Sequence, residues 1–205
     1  MDPLKPSLFK YFPLFFLTIY SASMIFLGLG DNVLQVDEGN DTFITTNLLK
    51  FGFPRHSDGI NYTLLWANAH DGLFVYRPWI PYYIQAFSLS LFGQTTFAAR
   101  LPFALCGVLS VIVLYRFALK FTGRQFIAFL AAFLLASSIP ALIYFRTARY
   151  VGLPILLSIL LLSFYIDIYK NKKWNPLPLT VVSIIFFHTM YVEFAGMIVG
   201  VLIHF

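Results

Sequence analysis

Residues 13–41 read PLFFLTIYSASMIFLGLG-DNVLQVDEGND: an apolar run followed at once by a polar island, Val36-Asp37-Glu38-Gly39-Asn40-Asp41. The run is about 18 residues, just long enough to cross a bilayer as a helix. The island sets three carboxylates where that helix leaves the membrane. A carboxylate beside lipid is costly unless water, a cation or a ligand solvates it, so such residues tend to be functional. Two readings are open, a solvated loop and a catalytic acid at the membrane surface.

The whole chain is 59% hydrophobic and 11% charged, with a mean hydropathy of +0.77. A soluble domain carries roughly 25% charged residues, so the composition predicts an all-α integral membrane protein, a polytopic helical bundle. The many phenylalanines and tyrosines suit a membrane, whose interfaces favour aromatics. The net charge of +5 is dispersed and forms no basic stripe, which argues against nucleic acid as a partner. Cys106 is alone in an apolar run and reads as core filler. Lys5 and Lys10 before the first run suggest a signal peptide. No small-residue cleavage site follows, so the run is expected to remain as a span.

Hydropathy predicts spans over about 13–30, 100–120, 126–145, 151–168 and 179–191, and the start of another over 194–205. Twelve residues are too few to cross, so the chain is expected to be the N-terminal part of a longer protein. Residues 31–97 form a long segment on the side of the acids. Within it, Asp41 to Phe51 has the spacing of a short amphipathic helix lying on the membrane, stopped by Gly52-Phe53-Pro54. A second apolar helix opens after Arg77-Pro78-Trp79-Ile80-Pro81 and ends at Gly93. Arg116, Lys120 and Arg124, and later Lys170, Lys172 and Lys173, mark cytoplasmic ends, which puts the N-terminus in the cytoplasm and the acids outside.

This topology gathers four groups on the outer side: Asp37, Glu38 and Asp41; Arg77; Arg146 and Arg149; and His188, Tyr191 and Glu193. A carboxylate can take a proton from an attacking hydroxyl. An arginine fork matches phosphate oxygens. Together at a lipid boundary they suggest transfer of a group from a lipid phosphate. Each has a plainer reading: Arg77 as a snorkelling residue, Arg146 and Arg149 as one helix face against anionic lipid, His188 and Glu193 as a buried hydrogen-bonded pair. His56 and His70 lack metal-ligand spacing. Asn40-Asp41-Thr42 and Asn61-Tyr62-Thr63 match the glycosylation sequon, which matters only in a eukaryotic secretory pathway. A secondary transporter is disfavoured, since no internal repeat is visible.

The order of these features resembles the N-terminal half of the GT-C membrane glycosyltransferases. It runs from Asp37-Glu38 at the exit of one span, through Arg77-Pro78, Leu91-Phe92-Gly93 and Ala99-Arg100-Leu101-Pro102, to Gly123-Arg124 and Arg146-Thr147-Ala148-Arg149. The nearest branch is that of the bacterial aminoarabinose transferase acting on lipid A and the dolichyl-phosphate-mannose protein mannosyltransferases. The resemblance implies a polyprenyl-phosphate-sugar as donor substrate and membrane lipids as surroundings, in a membrane expected to be a bacterial inner membrane. It implies Asp37 as catalytic base with Glu38 beside it, and Arg77 at the donor phosphate, where the topology also sets Arg146 and Arg149 as candidates. His188, Tyr191 and Glu193 are candidate acceptor or sugar contacts, and no divalent metal is demanded. The family's pattern places acids where this chain has Tyr76 and Val151. The alternative is therefore a non-catalytic GT-C-derived subunit that packs against partners in a larger membrane complex.

Overall fold

The computed structural model describes residues 11–63, 72–170 and 175–204. Among these residues the protein is all helical, with nine helices and two isolated bridges, Arg55 with Leu73 and Ser57 with Tyr62. The helices are α1 (Phe12–Phe26), α2 (Val36–Phe51), α3 (Ile80–Phe92), α4 (Thr96–Thr122), α5 (Gln125–Ser137), α6 (Ile139–Phe145), α7 (Gly152–Tyr169), α8 (Leu177–Phe187) and α9 (Tyr191–His204). His70, Lys5, Lys10, Lys172 and Lys173 lie outside the described residues.

The central element is α4, which packs against α1, α3, α5, α6 and α7. Its start is fixed by Thr95, whose hydroxyl accepts from the Ala98 N–H at 3.1 Å. Its end is fixed by Gly123, whose φ of 67° few other residues adopt. On α5, Ala128, Ala132 and Ala136 recur every fourth residue and are completely buried against Leu17, Val111 and Tyr115. Lipid gives helices no hydrophobic reason to associate, so small residues that allow close backbone approach carry such contacts. The tightest approach is at Gly107 of α4. A Cβ there would stand 2.5 Å from Cγ of the buried Phe145. A second cluster joins Leu153, Leu157 and Leu161 of α7 to Val182 and Phe186 of α8, with Cys106 packed against it.

The observed elements correct several sequence expectations. The polar island is not a loop: Asp37, Glu38 and Asp41 lie in the first turns of α2, which begins five residues before the expected amphipathic helix. Gln35 caps this helix, and its N–H donates to Glu38 Oε2 at 2.9 Å. The span expected over 126–145 is broken at Ser138, and α5 and α6 meet at a bend of 64°. Pro140 lacks the N–H that a continuous helix needs there. Among the described residues, α4 and α7 are long and apolar enough to cross a membrane, and the bent α5–α6 pair together makes a third. Helices α1, α8 and α9 are apolar but shorter, at 15, 11 and 14 residues.

The bundle has two ends of different chemistry. At the far end an ion pair joins Lys120 of α4 to Asp167 of α7, and the Tyr165 hydroxyl meets Nδ1 of His204 at 2.7 Å. The other end gathers the C-terminus of α1, helices α2 and α3, the start of α4 and the 146–151 turn between α6 and α7.

Candidate functional site

The foundation of that second end is Glu38. It is wholly buried, and Arg100 grips it through both fork positions, Nε to Oε1 and Nη2 to Oε2, each at 2.8 Å. The carboxylate also accepts from the backbone N–H groups of Gln35 at 2.9 Å and Ala148 at 2.6 Å. Arg100 spends its remaining donors on the carbonyls of Leu29, Asn32 and Val33, which fastens the α1–α2 connection. Burial pushes the Glu38 carboxyl up. Arg100 and the two backbone donors outweigh it and hold the group below its ordinary value. Every face of this carboxylate is occupied, so Glu38 holds α2 in place beside Asp37.

Directly above it are two acid–arginine pairs, one helical turn apart on α2. Asp37 pairs with Arg149, Oδ2 to Nη1, at 3.0 Å. Asp41 pairs with Arg77, whose Nη1 donates to Oδ1 at 2.9 Å and Oδ2 at 3.2 Å. The Tyr82 hydroxyl donates to the same Oδ1 at 3.1 Å. Tyr150 stands between the two arginines. The Arg77 guanidinium is 4.7 Å from its ring centroid and that of Arg149 is 5.7 Å away. Asp37 and Arg77 therefore share one end of the bundle and one cluster of charges.

Burial pushes the Asp41 carboxyl up, and this prevails over the pull of Arg77 and the Tyr82 hydroxyl. Burial also lifts the Tyr82 phenol, with the Asp41 charge adding to it. Burial lowers the Arg77 value but Asp41 more than restores it, leaving Arg77 firmly cationic. Helix α3 is locked below by Gln85, which bonds Thr45 and Thr42 of α2 and the Ala99 carbonyl of α4.

The other sequence-derived candidates separate. Arg77, His188 and Tyr191 do meet: with Val75, Pro78 and Trp79 they line an open cleft of about 310 Å³. Glu193 is exposed on the first turn of α9 and does not line it. His188 is likewise exposed, so the buried His188–Glu193 pair is not found. Arg146 leaves the cluster altogether. Its guanidinium donates to the carbonyls of Met24, Ile25 and Leu27 at 2.7, 3.2 and 2.8 Å, closing the C-terminus of α1. It faces a separate cleft of about 380 Å³ between the α1–α2 connection and α6. Among the described residues no group of three or more His, Cys, Asp or Glu is arranged to hold a metal.

Sequence reasoning left out three residues of this end: Arg100, Tyr82 and Tyr150. A signal existed for the first. A lone arginine opening an apolar span implies a buried partner.

An all-helical integral membrane protein with acids and arginines paired at one end of its bundle is the class that fold and site define. A family profile described as dolichyl-phosphate-mannose-protein mannosyltransferase matches residues 76–205, well over half the chain. The chain belongs to that family, a glycosyltransferase family of the GT-C type. No curated protein and no solved structure matches it. The matched segment holds Arg77, Tyr82, Arg100, Arg149 and Tyr150, while Asp37, Glu38 and Asp41 lie just ahead of it.

Proposed function

We propose that this chain carries the reacting end of a glycosyltransferase that moves a sugar from a polyprenyl phosphate to an acceptor hydroxyl at the outer face of the membrane. Asp37 is the base. Its carboxylate takes the acceptor proton, the acceptor oxygen bonds the anomeric carbon, and the carbon–oxygen bond to phosphate breaks. Polyprenyl phosphate leaves with the electron pair, and Arg77 and Arg149 neutralise its charge. Phosphate is already a good leaving group, so positioning and fixed charge carry much of the acceleration. The observation that supports the reading is the meeting of Asp37, Arg149, Tyr150 and Arg77 beside an open cleft with aromatic walls. That cleft, with His188 and Tyr191 opposite Arg77, is the place for sugar or acceptor.

The test is transfer of radiolabel from a panel of polyprenyl-phosphate sugars in membranes that contain the protein. Asp37→Asn is expected to lower transfer by about 10²–10⁴, the usual worth of a positioned base. Undiminished transfer removes Asp37 from that role. Val151, apolar where the family's pattern has an acid, favours one other reading, a non-catalytic subunit of a membrane complex. Absent turnover, together with a membrane protein that co-purifies in fixed ratio, selects it.

A further inference from the structure

The two acid–arginine pairs differ in how tightly they are held. In one, Asp41 and Arg77 have side chains only 5% and 16% exposed, and Tyr82 adds a third bond to the carboxylate. In the other, Asp37 is 60% exposed and Arg149 25%, with one contact between them. Arg149 also carries a defect. Its Nε is buried and has no hydrogen-bond acceptor among the described residues. A buried donor left without an acceptor is unfavourable, and a cation with a spare buried N–H is incompletely coordinated.

The Arg77 fork points the same way. Asp41 engages Nη1 alone, and no other carboxylate or carbonyl among the described residues bonds its guanidinium. The edge formed by Nε and Nη2 is the one that Arg100 uses to grip Glu38 side-on. In Arg77 no carboxylate or carbonyl among the described residues takes that edge, and the guanidinium's other polar neighbour is the Tyr82 hydroxyl. One arginine is thus held in place with a fork to offer. The other, across Tyr150, is weakly engaged and short of an acceptor.

Resting on the function proposed above, we propose that Arg149 is an exchangeable clamp. The phosphate of an isoprenyl phosphate binds the fixed fork of Arg77, draws the Arg149 guanidinium from Asp37 and supplies its missing acceptor. In the resting protein Arg149 holds one oxygen, Oδ2, of the exposed Asp37 carboxylate. Donor binding releases it, so both oxygens of the base are free when a sugar is in place to be transferred. Asp41 and Tyr82 are positioning residues that keep Arg77 still while Arg149 moves. The ligand class is an isoprenoid phosphate monoester or diester.

The exchange makes Asp37 a competitor of the ligand, and that sets it apart from a fixed scaffold. The experiment is equilibrium binding of a short-chain isoprenyl monophosphate to the protein in nanodiscs of neutral lipid. Arg149→Gln should weaken binding about tenfold or more, the loss of a charge-assisted bond. Asp37→Asn should tighten it by about two- to fivefold, the worth of the exposed ion pair it releases. Asp31→Asn, an exposed acid on the same side of the bundle, should leave it unchanged. If the parent protein binds but Asp37→Asn has unchanged or weaker affinity, the exchange is wrong and Asp37 merely orients Arg149. If the parent protein does not bind the monophosphate at all, the phosphate site proposed above falls, and the exchange with it.

Discussion

Replacing Glu38 by Gln tests the construction of the charged end most directly. The carboxylate is fully buried and accepts four hydrogen bonds, two from Arg100 and one each from the N–H groups of Gln35 and Ala148. Glutamine keeps the shape, but its NH₂ group must face donors where an oxygen accepted, and Arg100 loses its counter-charge inside the protein. Breaking one side of a buried pair costs about 3–5 kcal/mol. That is roughly two to three and a half powers of ten in the folding equilibrium. The assay is reversible unfolding in mixed micelles, followed by helical circular dichroism. Protease cleavage in the α1–α2 connection, where Arg100 holds three carbonyls, should rise in parallel. Arg100→Gln in the same background should cost less than in the parent, because the two residues act as a unit. The folded pKa of Glu38 lies below its ordinary value, so its contribution is complete above that value and lost as pH falls through the lower one. Parent protein should therefore lose stability in acid more steeply than the Gln variant. A cost below about 1 kcal/mol for Glu38→Gln would refute the reasoning, since surface changes alone give up to about 0.5 kcal/mol.

Two further predictions concern packing and the end of α1. Gly107→Ala places a methyl 2.5 Å from Phe145 Cγ and should destabilise by about 1–3 kcal/mol through overpacking, with Phe145→Leu partly rescuing it in the same unfolding assay. Arg146→Ala frees the carbonyls of Met24, Ile25 and Leu27 and should cost about 1–2 kcal/mol by the same measure. It should leave isoprenyl phosphate affinity unchanged, in contrast to Arg149→Ala.

The helical membrane class was legible because composition alone excludes most alternatives, and the runs behind α4 and α7 are long and uninterrupted. The start of α2 was misread because three acids resemble a loop. Acids are in fact favoured in the first turn of a helix, where the dipole is positive, and Gln35 and Glu38 have the spacing of a cap. The run over 126–145 looks continuous to hydropathy, which does not weigh the backbone donor that Pro140 lacks. Arg146 and Arg149 are three apart and so read as neighbours on one face. That inference needs a helix, and residues 146–151 form a turn, so one arginine reaches α1 and the other α2. The pairing of Asp41 with Arg77 and of Glu38 with Arg100 depends on how α2 lies across α3 and α4, which no local pattern encodes.

The bond from the Ala148 N–H to Glu38 spans 110 positions of chain. Contacts so distant in sequence form late, because the intervening polypeptide must first be made and brought back. Until residue 148 has left the ribosome and α6 has settled beside α4, the Glu38 carboxylate lacks one of its donors and Arg149 is not yet present to meet Asp37. The charged end of this protein thus cannot be completed before residues 148 and 149 are made, and a nascent chain stalled ahead of that turn would hold α2 without either bond.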